Sequence, residues 1–350
     1  MGNNNRDHDS MERKSAGLCD AYGRTIDYLR ISLTDRCNLR CRYCMPMEGI
    51  PALKHDEILT LEEVERIAKV LTGMGIRRIR LTGGEPLVRR NMLSLVQRLG
   101  ALEAKPELAI TTNGILLEEY LEDFLAAGLK NINISLDTKQ PETFRELTGM
   151  DGLDRVLRSI EKAVALGMRV KLNSVLIRGV NEGEMAELAG MAKELPMDVR
   201  FIELMPIGPA SGLRGVPREE ILTRLKLEYG ECEGVGGQRK SSSLPDAGGP
   251  AQYVLFQGFQ GRVGFISPLS HAFCESCNRV RLTADGRLKL CLFYPDGPSL
   301  LPLVRGGCDD ETLRKVILEG LQRKPKCHGF GNLDAPKEAK EARNMNQIGG

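Results

Sequence analysis

The sequence predicts an α/β protein: a partial (βα)6 TIM-like barrel closed by a C-terminal region of β-hairpins and a helix. Three observations carry that reading. Between residues 28 and 204, short Val, Ile and Leu-rich runs alternate with amphipathic stretches at a spacing of about 25 to 35 residues, the mark of βα units. Six such units are too few to close an eight-unit barrel, so part of the wall has to come from elsewhere. At about 150 residues per domain, a 350-residue chain leaves room for a second block that supplies it.

The predicted strands are 29–34, 77–82, 108–112, 131–136, 169–177 and 198–204, each with apolar residues interleaved with polar ones. Between them, Thr60 caps a helix over 61–74, Asn91 opens one to 102, and a stretch over 116–127 stops at Gly128. Helical runs at 142–147, 154–166 and 182–195 complete the series. Downstream, 213–230 reads as a helix and 234–250 as a Gly, Ser and Pro-rich surface loop. Hairpins follow over 252–267, around Gly258 and Gly261, and over 279–292, around Asp285-Gly286, and then a helix over 310–322. Residues 326–350 are polar and irregular, a mobile tail by composition. The resulting division is an extension (1–22), the barrel (23–212), a C-terminal region (213–330) and the end of the tail (331–350).

Composition narrows the function. Hydrophobic residues make up 41% and charged residues 27%, and no apolar run approaches the roughly 18 residues of a spanning helix, so no membrane partner is expected. A net charge of +2 is too small to argue for a nucleic-acid partner. The Asn-rich start, 1–10, has no apolar core of an export signal, and a cytoplasmic location is expected. In a reducing compartment, ten cysteines point to metal ligation or catalysis over disulfides.

Their spacing decides the chemistry. Cys37, Cys41 and Cys44 form C-x3-C-x2-C directly after the first strand. Three thiolates on one loop suit an iron-sulfur cluster, and the missing fourth leaves one iron open to a small molecule. Cys274, Cys277 and Cys291 form a second trio, C-x2-C-x13-C, which suits another such cluster, with zinc as the competing occupant. Cys19, Cys232, Cys308 and Cys327 have no partner spacing and read as structural or incidental. Strand alternation places Arg279 and Arg281 on one face beside the second trio. Arg30, Arg80, Lys171 and Arg200, on four predicted barrel strands, aim more positive charge into the same lumen. So many cations converging in a nearly neutral chain fit a polyanionic substrate such as a nucleoside triphosphate.

The first trio, with Tyr43 before its last cysteine, resembles the radical S-adenosylmethionine (SAM) superfamily motif, and Thr82-Gly83-Gly84-Glu85-Pro86 resembles that superfamily's Gly-Gly-Glu-Pro segment. Asp35-Arg36-Cys37-Asn38, Thr111-Thr112-Asn113-Gly114, the run from Arg200 to Pro206, the run from Cys274 to Arg281 and the terminal Gly349-Gly350 extend the likeness. Over nearly the whole chain it resembles the GTP 3′,8-cyclase family of molybdenum cofactor biosynthesis. The resemblance implies a lyase with two 4Fe-4S clusters and SAM, the second cluster lying in the C-terminal region. SAM would lie on the first cluster near Tyr43, Gly84, Ser135 and Met205. The second cluster would bind guanine, while Arg30, Arg80, Thr111, Lys171, Arg279 and Arg281 hold the ribose and triphosphate. A deoxyadenosyl radical would take the 3′ hydrogen of GTP, and the carbon radical would attack C8 to give (8S)-3′,8-cyclo-7,8-dihydroguanosine 5′-triphosphate. Gly349 and Gly350 would thread into the barrel and complete the catalytic lumen. An external one-electron reductant of flavodoxin or ferredoxin type and a downstream cyclic pyranopterin monophosphate synthase are implied as partners, and a homodimer is allowed. Another radical SAM enzyme with an auxiliary cluster, such as a peptide maturase, shares the first motif but usually has more C-terminal cysteines.

Overall fold

In the computed structural model, which describes residues 17–235, 249–295, 297–330 and 341–349, the six expected strands all form: β1 (Tyr28–Ser32), β2 (Arg78–Thr82), β3 (Glu107–Thr112), β4 (Asn131–Ser135), β5 (Arg169–Ser174) and β6 (Asp198–Ile202). Helices α1 (Leu61–Gly73), α2 (Met92–Gly100), α3 (Leu121–Ala126), α4 (Pro141–Thr148), α5 (Leu153–Ala165) and α6 (Met185–Glu194) connect them. Thr60 starts α1 as expected, with a reciprocal cap: its hydroxyl accepts from the Glu63 N–H at 3.2 Å, and the Glu63 carboxylate accepts from the Thr60 N–H at 2.7 Å. Asn91 precedes α2 differently. It sits in the left-handed region at φ 59° and makes no side-chain cap.

The C-terminal region supplies α7 (Arg218–Tyr229), β7 (Cys232–Val235), β8 (Gln252–Phe256), β9 (Val263–Ile266), β10 (Arg279–Leu282), β11 (Leu288–Lys289), α8 (Leu301–Arg305) and α9 (Asp310–Leu321). It does not close the barrel as expected. The sheet order is β11-β10-β1-β2-β3-β4-β5-β6-β9-β8-β7, with β10 parallel to β1 and β9 parallel to β6. One strand of each predicted hairpin thus lengthens the parallel sheet at one edge, giving eight parallel strands, and its antiparallel partner covers that edge. Among the described residues the two ends stay unpaired with each other. Hairpin signals are local, whereas the choice of a barrel edge as partner is made across the fold.

Inward and outward faces follow strict alternation. On β1, Leu29 and Ile31 are buried in a core shared with Val64, Ile67 and Leu71 of α1, whereas Tyr28 and Arg30 line the lumen. The register sets Arg281, Arg30 and Arg80 side by side across β10, β1 and β2. A slip of one residue would turn these guanidiniums into an apolar core, where an unpaired charge costs several kcal/mol, so the pattern that builds the core also fixes the site.

The tail departs from its composition. Lys289 of β11 is fully buried and ion-paired with Glu341, and its Nζ also donates to the Tyr294 carbonyl at 2.6 Å. Asn346 donates through Nδ2 to the Asp35 carbonyl at 2.8 Å, and Ile348 is fully buried. Residues 341–349 are therefore docked by a few specific polar anchors, which an apolar periodicity cannot reveal. Residues 1–16 and 331–340 and most of the 234–250 loop lie outside the described residues.

Candidate active site

A cavity of about 430 Å³ runs through the barrel. Its wall contains Tyr43, Ser135 and Met205 toward the first cysteine loop, Arg30, Arg80, Thr111, Lys171, Arg279 and Arg281 along the strands, and Cys274, Cys277 and Cys291. Twelve of the expected site residues are thus brought onto one surface. Cys37, Cys41, Cys44 and Gly84 are not on that wall; they lie beyond the C-terminal ends of β1 and β2. Gly350 falls outside the described residues.

The first cysteine loop is held from its backbone outward. Arg40 donates to the carbonyls of Cys37 at 2.8 Å and Leu39 at 2.9 Å, and the Leu39 N–H points at the Cys37 sulfur at 3.4 Å. Gly84 is required here by close approach: a Cβ would stand 2.2 Å from the Arg36 carbonyl oxygen, so any side chain would push the cysteine loop off β2. The adjacent Glu85 is buried and accepts from Thr112 Oγ1 at 2.8 Å and from the N–H groups of Asn113 at 2.7 Å and Leu87 at 3.0 Å. It ties the ends of β2 and β3 together. Burial nonetheless pushes its carboxyl up to about 7.

The surroundings of these thiols are acidic. Burial, with the charge of Glu85, raises Cys37 to about 11; burial and the neighbouring Cys37 raise Cys44 to about 12. Cys41 is pushed well up by burial, Cys44 and Asp137. Asp137, itself raised to about 6 by burial, accepts from the Tyr43 hydroxyl at 2.7 Å and the Val175 N–H at 2.8 Å. The tail enters here as well, since the Asn346 N–H bonds to the Cys44 sulfur.

The other end is basic. Burial raises Cys277, but the charge of Lys324, the Arg279 N–H and the Arg279 guanidinium outweigh it and leave the thiol below its ordinary range. Lys324, buried, donates to the carbonyls of Arg279 at 2.9 Å and Leu290. Arg281 is depressed to about 10 by burial and by Arg279, and it donates to the Gly349 carbonyl at 2.7 Å. Arg200 donates to Asn173 Oδ1 at 2.6 Å, yet its Nε, like that of Arg279, is buried with no hydrogen-bond partner among the described residues. Buried guanidinium donors of this kind fit an anion that supplies the missing acceptors. Tyr28 registers the same field: burial opposes ionisation, but Arg80, Arg30 and Arg279 bring its phenol down to about 8.

Sequence reasoning missed Lys324, Asp137 and Tyr28. Lys324 and Asp137 carry no spacing signal. Tyr28 shares the inward phase of Arg30 and could have been found from it. Cys327, taken as incidental, lies close to Cys274: their sulfurs and a His328 ring nitrogen fall within 4.8 Å of one another.

The donor sets fit the expected groups. Three thiols on the loop after β1, and three divided between the loop before β10 and the segment after β11, suit iron, the acidic end suits a sulfonium cation, and the basic end suits a polyphosphate.

A parallel half-barrel whose first strand delivers a C-x3-C-x2-C loop defines a radical SAM protein, and residues 31–192 match the Radical SAM superfamily while 197–330 match Molybdenum Cofactor Synthesis C. The chain belongs to the GTP 3′,8-cyclase family. It is 43% identical over 331 residues to the GTP 3′,8-cyclase of Clostridium perfringens (strain 13 / Type A), covering 95% of this chain and 99% of that one. The Moorella thermoacetica GTP 3′,8-cyclase is 44% identical over 336 residues, with 95% and 99% covered. Among solved structures, Streptococcus suis SuiB bound to precursor peptide SuiA superposes with a TM-score of 0.59 over 93% of this chain and 77% of that one. At 16% identity that likeness shows the fold alone. No helix among the described residues is long and apolar enough to cross a membrane.

Proposed function

We propose that this protein converts GTP to (8S)-3′,8-cyclo-7,8-dihydroguanosine 5′-triphosphate, the first step of molybdenum cofactor biosynthesis. The observation that carries the reading is the charge pattern of one lumen, with Asp137 toward the first cysteine loop and Arg30, Arg80, Lys171, Arg200, Arg279 and Arg281 on the wall shared with Cys274, Cys277 and Cys291. When bound, a reduced 4Fe-4S cluster with SAM supplies the primary carbon radical. Around it, Asp137 fixes Tyr43, and Gly84 keeps the cysteine loop seated on the strand ends. Arg30, Arg80, Thr111, Lys171, Arg279 and Arg281 grip the triphosphate and ribose. Holding GTP with its 3′ carbon toward the SAM end turns a bimolecular abstraction into an oriented one, worth on the order of 7–11 kcal/mol for well-aligned partners. The docked residues 341–349 narrow the lumen through Met345 and keep Arg281 in place through the Gly349 carbonyl, which excludes water from the radical. Cys274, Cys277 and Cys291 would hold a second 4Fe-4S cluster, which would supply an open iron for guanine. A flavodoxin or ferredoxin-type reductant feeds the first cluster, and cyclic pyranopterin monophosphate synthase takes the product.

The test is anaerobic incubation of reconstituted protein with SAM, dithionite and GTP, followed by mass analysis of the nucleotides. The expected product has the mass of GTP and loses its 3′ deuterium to deoxyadenosine when 3′-deuterated GTP is used. Deuterium found only in unreacted GTP would overturn the proposal.

A further inference from the structure

Cys327 has no packing role: its side chain is exposed. The loop that carries it is nonetheless pinned. Arg24, ion-paired to Asp20 at 2.6 Å, donates through one nitrogen to the carbonyls of both Cys274 and Lys326, each at 2.8 Å, and through the other to Pro325 at 2.7 Å. One guanidinium therefore staples the Cys327 loop to the Cys274 loop, and Lys324 fixes the loop's near end on β10. The thiols of Cys274 and Cys327 and a ring nitrogen of His328 lie within 4.8 Å of one another. His328 is already engaged at both nitrogens: Nε2 donates to the Pro268 carbonyl at 2.7 Å, and Nδ1 accepts from the Phe330 N–H at 3.2 Å. The set is therefore two thiols and a satisfied imidazole, short of the four ligands a closed zinc site takes.

Resting on the reading of a second cluster, we propose that Cys327 is its fourth ligand, binding in the absence of substrate the iron that Cys274, Cys277 and Cys291 leave open. GTP displaces it. The exchange is a substitution: the iron–sulfur bond to Cys327 breaks, its thiolate takes a proton from solvent, and a guanine nitrogen or oxygen takes its place on iron, with no change of oxidation state. Exposure gives the side chain room to swing away. The consequence is a self-capped cluster that is shielded until substrate arrives, and an apparent GTP affinity lowered by the fraction of time the thiolate is bound.

The test uses the full chain with Cys37→Ala, Cys41→Ala and Cys44→Ala, so that only the second cluster remains, reconstituted anaerobically to about four irons per chain. Electron paramagnetic resonance of the reduced protein is recorded with and without GTP, alongside GTP binding by calorimetry, in this parent and with Cys327→Ala or Cys327→Ser added. The expected result is that Cys327→Ala alters the spectrum before GTP is added and binds GTP about tenfold tighter, as release of a thiolate bound roughly nine-tenths of the time requires. Cys327→Ser, which keeps a weaker oxygen ligand, should fall between. Identical spectra and equal affinities in parent and Cys327→Ala overturn the inference alone. A parent that takes up no iron overturns the second-cluster reading and this inference with it.

Discussion

Two cysteine loops of similar make-up sit among different charges. The loop after β1 carries Cys37, Cys41 and Cys44 among Glu85 and Asp137, and burial and like charge push all three thiols upward. The loop before β10 carries Cys277 beside Lys324 and Arg279, which hold it down despite burial, whereas burial raises its neighbour Cys274 to about 11. A thiol in an acidic, buried setting holds its proton more tightly than one beside cations, so Cys277 gives up its proton more readily than the thiols of the first trio. The difference suggests that spacing marks each trio as a candidate iron site, while the charges around it favour different neighbours on the proposed reading: a sulfonium compound near the acidic end, and near the basic one a nucleotide whose triphosphate lies on the arginines.

The comparison breaks most sharply on the cysteines. Replacing Cys37, Cys41 or Cys44 by Ala should abolish SAM cleavage, read as deoxyadenosine formed. Replacing Cys274, Cys277 or Cys291 should spare uncoupled SAM cleavage and stop cyclisation. Equal loss of SAM cleavage from both sets would erase the division of labour. Nearly as large an effect is expected from the tail. Removing one partner of a buried ion pair costs about 3–5 kcal/mol, so Glu341→Ala should release the tail from Lys289 and suppress cyclisation while iron content stays unchanged. Deletion of Gly349 and Gly350 should do the same. Full cyclisation by either variant would make the tail a spectator.

The barrel was legible because its strands alternate. An inward polar lumen forces polar residues into every second position, so β1 to β6 and the inward arginines emerge from the same pattern. What stayed hidden was set by contacts distant in sequence. The pairing of β10 with β1 and of β9 with β6 decides that the C-terminal hairpins extend the sheet instead of closing it. Docking of the tail depends on single polar anchors, Lys289 to Glu341 and Asn346 to Asp35, within a segment whose composition reads as loose. Cys327 looked incidental because fifty residues separate it from Cys277, and contacts distant in sequence, from Arg24 and Lys324, bring the loops together.

A smaller effect sharpens the basic end. Arg279→Ala and Arg281→Ala should each weaken GTP binding by about 1.5–3 kcal/mol, the scale of a hydrogen bond to a charged group, or roughly 10- to 150-fold. Guanosine should bind far more weakly than GTP to the unaltered protein and be less sensitive to either substitution. Calorimetry under argon measures both. Equal affinity for guanosine and GTP would assign these arginines to structure, not to the triphosphate.

The smallest expected signal comes from Tyr28, whose phenol reports the charge of the lumen without touching either cysteine trio. Burial alone would raise it, yet the guanidiniums of Arg80, Arg30 and Arg279 bring it to about 8 from an ordinary value of 10.0. Because the folded value lies below the unfolded one, the stability this phenolate contributes is fully present above pH 10 and is lost as pH falls through 8. At neutral pH it contributes little, which makes the group a probe and not a prop. Tyrosinate absorbance of the protein before cluster loading should show one component titrating near pH 8, absent in Tyr28→Phe and moved upward in Arg80→Ala. GTP should also move it upward, since a triphosphate laid across Arg30, Arg80 and Arg279 cancels the positive field that favours the phenolate. SAM, a cation held at the far end, should leave it in place or lower it. If GTP leaves the component unmoved, the triphosphate does not lie on these arginines, and the opposition between the two ends loses its basic half.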